Sequence, residues 1–67
     1  MLLQALVEKQ QAIQMNDREF AEYLGISRAL WEAVRNHRRA ISVRVLRRVI
    51  TTFPELETDV LNFLKES

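Results

Sequence analysis

One glycine, Gly25, and one proline, Pro54, stand in a chain of 67 residues. β-Hairpins need turn residues that accept positive φ, most often Asn-Gly, Asp-Gly or Gly-Gly pairs. None of these pairs occurs here. Helix interiors need neither residue and are weakened by both. The scarcity of glycine and proline therefore selects an all-helical chain. It also makes the position of the single glycine informative.

Gly25 lies in the stretch Asp17 to Asn36, DREFAEYLGISRALWEAVRN. Phe20, Ala21 and Leu24 precede it at helical spacing, and Ile26, Trp31 and Val34 follow it. Glycine tolerates the left-handed conformation that commonly ends a helix. Ser27 suits the N-cap of the next helix, because its hydroxyl accepts from an amide with no partner within that helix. Ile26 before that cap and Trp31 at the fourth helical position are spaced to form a hydrophobic staple. Ala21 faces the junction, where a small side chain lets two helices cross closely. The same signals occur one helix earlier. Asn16 is spaced as an N-cap, Glu19 as its capping-box acid, and Met15 and Phe20 as a staple. Two short amphipathic helices joined by a tight turn form the helix-turn-helix pattern, whose second helix can enter the DNA major groove.

A chain of this length implies one domain, residues 1–67. It buries only about 60% of the surface its unfolded form exposes, so its stability is marginal. With no cysteine it has no disulfide, and with a single histidine it lacks a structural zinc set. The core must be hydrophobic, with dimerisation as its natural extension. No apolar run approaches the roughly 18 residues of a membrane span. The N-terminal MLLQALVEKQ lacks the charge and cleavage pattern of a signal peptide. A soluble cytoplasmic protein is expected, with no membrane partner and no cofactor.

The net charge of +1 conceals an uneven distribution. Residues 28–48 hold seven arginines and one acid, Glu32, whereas the rest of the chain holds three basic residues and eight acids. A basic middle between acidic flanks is the footprint of a polyanion site when the arginines share a face. An ordinary solvated charge set is the plainer reading. The block's start inside the candidate second helix of the motif favours nucleic acid.

Taken in order, the pattern predicts helices over residues 2–14, 17–24, 28–36, 43–53 and 59–65. The first presents Leu3, Leu6, Val7, Gln10 and Ile13, and Leu2 is read as part of a fraying terminus or an oligomer contact. In the second, Tyr23 is expected half-buried with its hydroxyl in water. In the third, Trp31 and Val34 face inward and Arg35 lies along the edge. Leu30 is expected to pack within the fold. Ser42 caps the fourth helix, whose buried stripe is Val45 or Leu46, Val49, Ile50 and Phe53. Pro54 closes it. Thr58 is expected to cap the last helix. There Val60, Leu61, Phe63 and Leu64 exceed a single stripe: either one side packs on the first helix and the other makes a two-fold contact, or all four are core, and the two readings weigh evenly.

The outward face of the third helix carries Arg28, Ala29, Glu32, Ala33 and Asn36. Ser27 and Arg28 stand at its N-terminal end, which reaches base edges in this docking geometry. Arg28 is the candidate for bidentate contact with guanine. Ala29 and Ala33 suit a thymine methyl, and equally suit helix propensity alone. Glu32 can accept from cytosine, though an ion pair with Arg28 or Arg35 is the preferred reading. Arg38 and Arg39 in the loop 37–42, and Arg44 in the first turn of the fourth helix, suit phosphate contacts. Arg47 and Arg48 are instead expected to face acids of the last helix. His37 is read as a helix C-terminal residue. Trp31 is read as core, not as a base-stacking platform.

The five-helix layout, the FAxxLGIS turn and the RNHRR exit resemble the phage lambda and 434 repressor/Cro family of DNA-binding domains. The resemblance covers nearly the whole chain and is most specific over residues 16–39. It implies a compact repressor-like fold in a phage or prophage type of regulator. It further implies that Ser27, Arg28, Ala29 and Ala33 face bases and that Asn16 and Asn36 bind phosphates. His37 stands where the family often has glycine, Trp31 is bulkier than the usual aliphatic residue, and two alanines occupy the reading face.

The expected function is sequence-specific binding of double-stranded DNA as a homodimer, through the C-terminal helix, to repress transcription. No nucleophile–base pair, metal cluster or phosphate loop marks an enzyme. Two alternatives stay open. The chain can be the antitoxin of a toxin–antitoxin pair, with the last helix docking a protein, or an interaction module that has lost DNA binding. Regulation by concentration or by a protein partner is expected ahead of regulation by a small molecule.

Overall fold

The computed structural model describes residues 1–66, and among them there are five α-helices and no strand. They are α1 (Leu2–Ala12), α2 (Asp17–Leu24), α3 (Arg28–Arg35), α4 (Val43–Thr52) and α5 (Glu57–Glu66), with a single 3-10 turn, Pro54–Leu56, leading into α5. No helix is long and apolar enough to cross a membrane. The Cα radius of gyration is 10.9 Å, close to the roughly 11 Å expected of a folded chain this long.

The local signals form as predicted at three helix starts. Asn16 and Glu19 make a complete capping box: Glu19 N–H donates to Asn16 Oδ1 at 2.8 Å and Asn16 N–H to Glu19 Oε1 at 3.0 Å. Ser27 Oγ accepts from Leu30 N–H at 3.1 Å, and Ser42 Oγ from Val45 N–H at 3.3 Å. α5 differs from expectation. It begins at Glu57 as a direct continuation of the proline turn, so Thr58 lies inside the helix. Proline at the first position of that turn has the φ a helix needs and lacks the N–H a helix start cannot use.

Helix ends are less legible than starts. α1 stops at Ala12, two residues short of the expected end, because Gln14 turns left-handed (φ +56°). Met15 N–H then donates to Gln10 C=O at 3.2 Å and Gln14 N–H to Gln11 C=O at 3.1 Å. The same closure ends α2 at Gly25 (φ +81°), where Ile26 N–H reaches Ala21 C=O at 3.0 Å and Gly25 N–H reaches Glu22 C=O at 3.1 Å. It ends α3 at His37 (φ +62°), through Arg38 N–H to Ala33 C=O at 2.8 Å and His37 N–H to Val34 C=O at 3.2 Å. Each pair of bonds is a Schellman closure, which satisfies carbonyls that have no partner within the helix.

The core is built from Leu2 and Leu6 of α1, Phe20, Ala21 and Leu24 of α2, Trp31 and Val34 of α3, Val45, Leu46 and Val49 of α4, and Val60 of α5, with Ile26, Phe53 and Leu56 between them. A series of tilted, stacked and edge-on aromatic contacts runs through it. Phe20 lies 4.9 Å from Trp31 and 6.0 Å from Phe53, and the half-exposed Tyr23 meets Phe53 at 5.7 Å, centroid to centroid. Several stripes are corrected. Leu2 is buried, not frayed, and α1 turns Leu2, Leu6 and Gln10 inward while Leu3 and Val7 are half-buried. Ile13 is exposed because α1 has already ended. Val45 and Leu46 are both buried, which rotates Ile50 outward. In α5 only Val60 is fully inside, Phe63 is half-buried, and Leu61 and Leu64 are exposed. Leu30 packs against the core as expected.

Candidate functional site

The α2–turn–α3 unit is held by backbone chemistry on one side and a polar brace on the other. On the turn side, Arg48 of α4 donates from Nε to Leu24 C=O at 2.7 Å. This corrects the expectation that Arg48 faces the acids of the last helix, and the reason is geometric. A C-terminal carbonyl lacks a partner within its helix and attracts a cation. A Cβ on Gly25 would lie 2.7 Å from the same Nε. Glycine adopts the positive φ there without strain, and any Cβ would have to push the Arg48 guanidinium aside.

On the other side, four side chains from three helices converge. Trp31 Nε1–H is shared between Gln10 Oε1 and Asp17 Oδ1, both at 3.2 Å. Gln10 Nε2 donates to Asp17 Oδ1 at 2.9 Å and to Met15 C=O at 3.2 Å. Arg35 Nη2 donates to Asp17 Oδ2 at 2.9 Å. Asp17 is thus the hub, a role beyond the helix-dipole acid its position suggests. The brace ties the start of α2 to the middle and the C-terminal end of α3. Arg35 Nε is buried without a hydrogen-bond partner.

The outward surface of this unit carries the residues expected to form the site. Ser27, Arg28 and Ala29 are exposed at the start of α3, Glu32 and Ala33 are half-buried, and Asn36 is exposed at its end. Arg28 is not free: its Nε donates to Glu32 Oε1 at 2.8 Å. That hydrogen bond, reinforced by the Glu32 charge, raises the Arg28 pKa above its ordinary value. The preferred ion-pair reading of Glu32 therefore holds. Ser27 Oγ is engaged as an acceptor, which leaves its O–H free to donate.

Beside this face lies a polar concavity of about 400 Å³ lined by Asn16, Asp17, Arg18 and Arg28. The Asn16 carbonyl is taken by the capping box, so its side-chain N–H₂ is the group left for a ligand. Arg18, which the sequence reading left outside the site, brings a second cation to the concavity. The cue was its position two residues after the cap.

The basic block divides in two. Arg28, Arg35 and Arg48 are engaged within the fold. Arg38, Arg39, Arg44 and Arg47 are exposed and make no ion pair among the described residues. Arg47, expected to face the last helix, instead joins Arg44 on the outer side of α4. The loop after α3 and the first turns of α4 thus offer four solvated guanidiniums, which suit the oxygens of a polyanion. Among the described residues no three His, Cys, Asp or Glu side chains are grouped as a metal set would be. Comparison with protein-family models, curated proteins and solved structures finds no match to this chain.

Proposed function

We propose that α2, its turn and α3 are a helix-turn-helix, and that the protein is a sequence-specific regulator that binds double-stranded DNA. The observation that carries this reading is an exposed α3 N-terminus whose Arg28 shares a concavity with Arg18 and Asn16. Arg38, Arg39, Arg44 and Arg47 follow the C-terminus of α3 in the chain. Ser27, Arg28, Ala29, Glu32 and Ala33 would meet base edges, while Asn16, Asn36, Arg38, Arg39 and Arg44 would hold phosphates. The protein acts by occupying a promoter and performs no chemistry. The resemblance to the repressor/Cro family supports the same assignment and a dimer on a near-palindromic operator.

The experiment is fluorescence anisotropy with the DNA that flanks this protein's own gene, against scrambled duplex, at two salt concentrations. Tighter binding to the native DNA that weakens with salt is expected. No preference at either salt would overturn the assignment. One observation favours a second reading, as an antitoxin or other protein-docking module: Leu61 and Leu64 are about half exposed on α5. A partner retained through purification, together with loss of that partner in Leu61→Asp, would select it.

A further inference from the structure

A second concavity, of about 270 Å³, opens between the N-terminal turn of α1, the loop after α3 and α5. Its walls are apolar: Leu3, Val34, Ile41 and Phe63 line it. Leu3, Ile41 and Phe63 are packed on the core yet only half-buried, so their remaining faces are wet on this side. Arg39, Glu66 and Met1 also line the concavity, and the Arg39 and Glu66 side chains make no ion pair among the described residues. We propose that this concavity binds a free α-amino acid with an apolar side chain.

Size and charge both lead there. Pockets for drug-sized ligands run from about 300 to 1,000 Å³, so this one admits only a small molecule. An apolar side chain filling it would remove water from Leu3, Ile41 and Phe63. An apolar acid without an amine would pair with Arg39 and leave Glu66 unanswered. An apolar amine without an acid would pair with Glu66 and leave Arg39 unanswered. A zwitterion answers both charges, its carboxylate on the Arg39 guanidinium and its ammonium on Glu66. His37, on the same wall, adds a ring donor or acceptor. Such a site would add a small-molecule effector, where regulation by concentration or by a protein partner is expected first.

A consequence for DNA rests on the functional reading above. Arg39 is one of the proposed phosphate contacts. A ligand carboxylate that occupies it withdraws that contact, so amino acid and DNA weaken each other reciprocally.

The test is an amide NMR titration of the ¹⁵N-labelled protein with L-leucine and L-phenylalanine. Glycine, 4-methylpentanoate and 3-methylbutylamine each lack one of the required features. Saturable shifts confined to residues 37–41 and their neighbours in α1 and α5 are expected with at least one of the two amino acids. Binding should be about tenfold or more weaker for each truncated compound, and for the surface variants Arg39→Gln and Glu66→Gln. No saturable shift with leucine or phenylalanine would overturn the proposal. So would equal affinity for 4-methylpentanoate, or undiminished binding in Arg39→Gln. A parallel anisotropy titration separates the two claims. Saturable shifts in a protein that binds no DNA uphold the amino-acid site and overturn the DNA reading alone.

Discussion

At the scale of single residues, three helices end in the same left-handed closure, but only one of them uses glycine. Gln14, Gly25 and His37 have φ of +56°, +81° and +62°. For a residue with a Cβ this conformation costs about 1–2 kcal/mol. Gly25→Ala is expected to lower stability by about that amount and to displace Arg48 from the Leu24 carbonyl. His37→Gly is expected to raise stability by up to about 1 kcal/mol, less the entropy glycine adds to the unfolded chain. Urea denaturation of both variants measures the pair. A stabilising Gly25→Ala would show that the turn relaxes out of this conformation. Gly25 was readable because glycine itself marks the site. Nothing in the local sequence marks Gln14, so α1 was drawn two residues too long.

At the scale of elements, the polar brace sets how α3 sits on α1 and α2. Gln10 is only 8% exposed, and it accepts from an indole 21 residues away. Trp31→Phe keeps the ring and removes the donor. Gln10 Oε1 then loses its partner in the core, which should cost about 1–3 kcal/mol by circular dichroism-monitored unfolding. A change within about 0.5 kcal/mol, the range of ordinary surface substitutions, would reduce the brace to incidental contact. A second tie joins α1 to the proline turn, Lys9 Nζ to Glu55 Oε2 at 2.8 Å, with Lys9 also 5.7 Å from the Phe53 ring. The Lys9 hydrogen bond, with one from the backbone, lowers the Glu55 pKa below its ordinary value. A carboxylate lowered in the folded state stabilises above its unfolded pKa and loses that contribution as pH falls through the folded one. Lys9→Met is therefore expected to flatten the acid limb of the stability profile. An unchanged slope, read by thermal unfolding across the carboxylate range, would show that the pair contributes nothing. The helix stripes that place Gln10 and Trp31 inward were legible from periodicity. The partners were not, because they lie on different helices.

At the scale of the whole molecule, tertiary packing sorts the arginines. Of the seven between residues 28 and 48, three are engaged by carboxylates or a carbonyl and four remain in solvent. If the protein reads DNA as proposed, Arg28→Ala should weaken the cognate site on the order of ten- to a hundredfold and relax one base preference. Equal loss on every sequence would remove Arg28 from the reading face. Arg39→Ala should weaken all sequences alike and reduce the salt slope by about one phosphate's worth. An unchanged slope would leave Arg39 to the amino-acid site alone. Both variants are read by the same anisotropy titration.

The amino-acid sequence by itself determined the all-helical class, the bounds of α2, the start of α3 and the caps at Asn16, Ser27 and Ser42. These signals act between residues three or four apart, within one helical turn, and need no knowledge of the fold. Only the tertiary structure decided that Arg48 closes α2, that Asp17 gathers Gln10, Trp31 and Arg35, that Ile50 faces out, and that Arg39 and Glu66 share a concavity. Those groups are separated by 7 to 27 positions along the chain. Their meeting depends on how the helices cross, which no local pattern specifies.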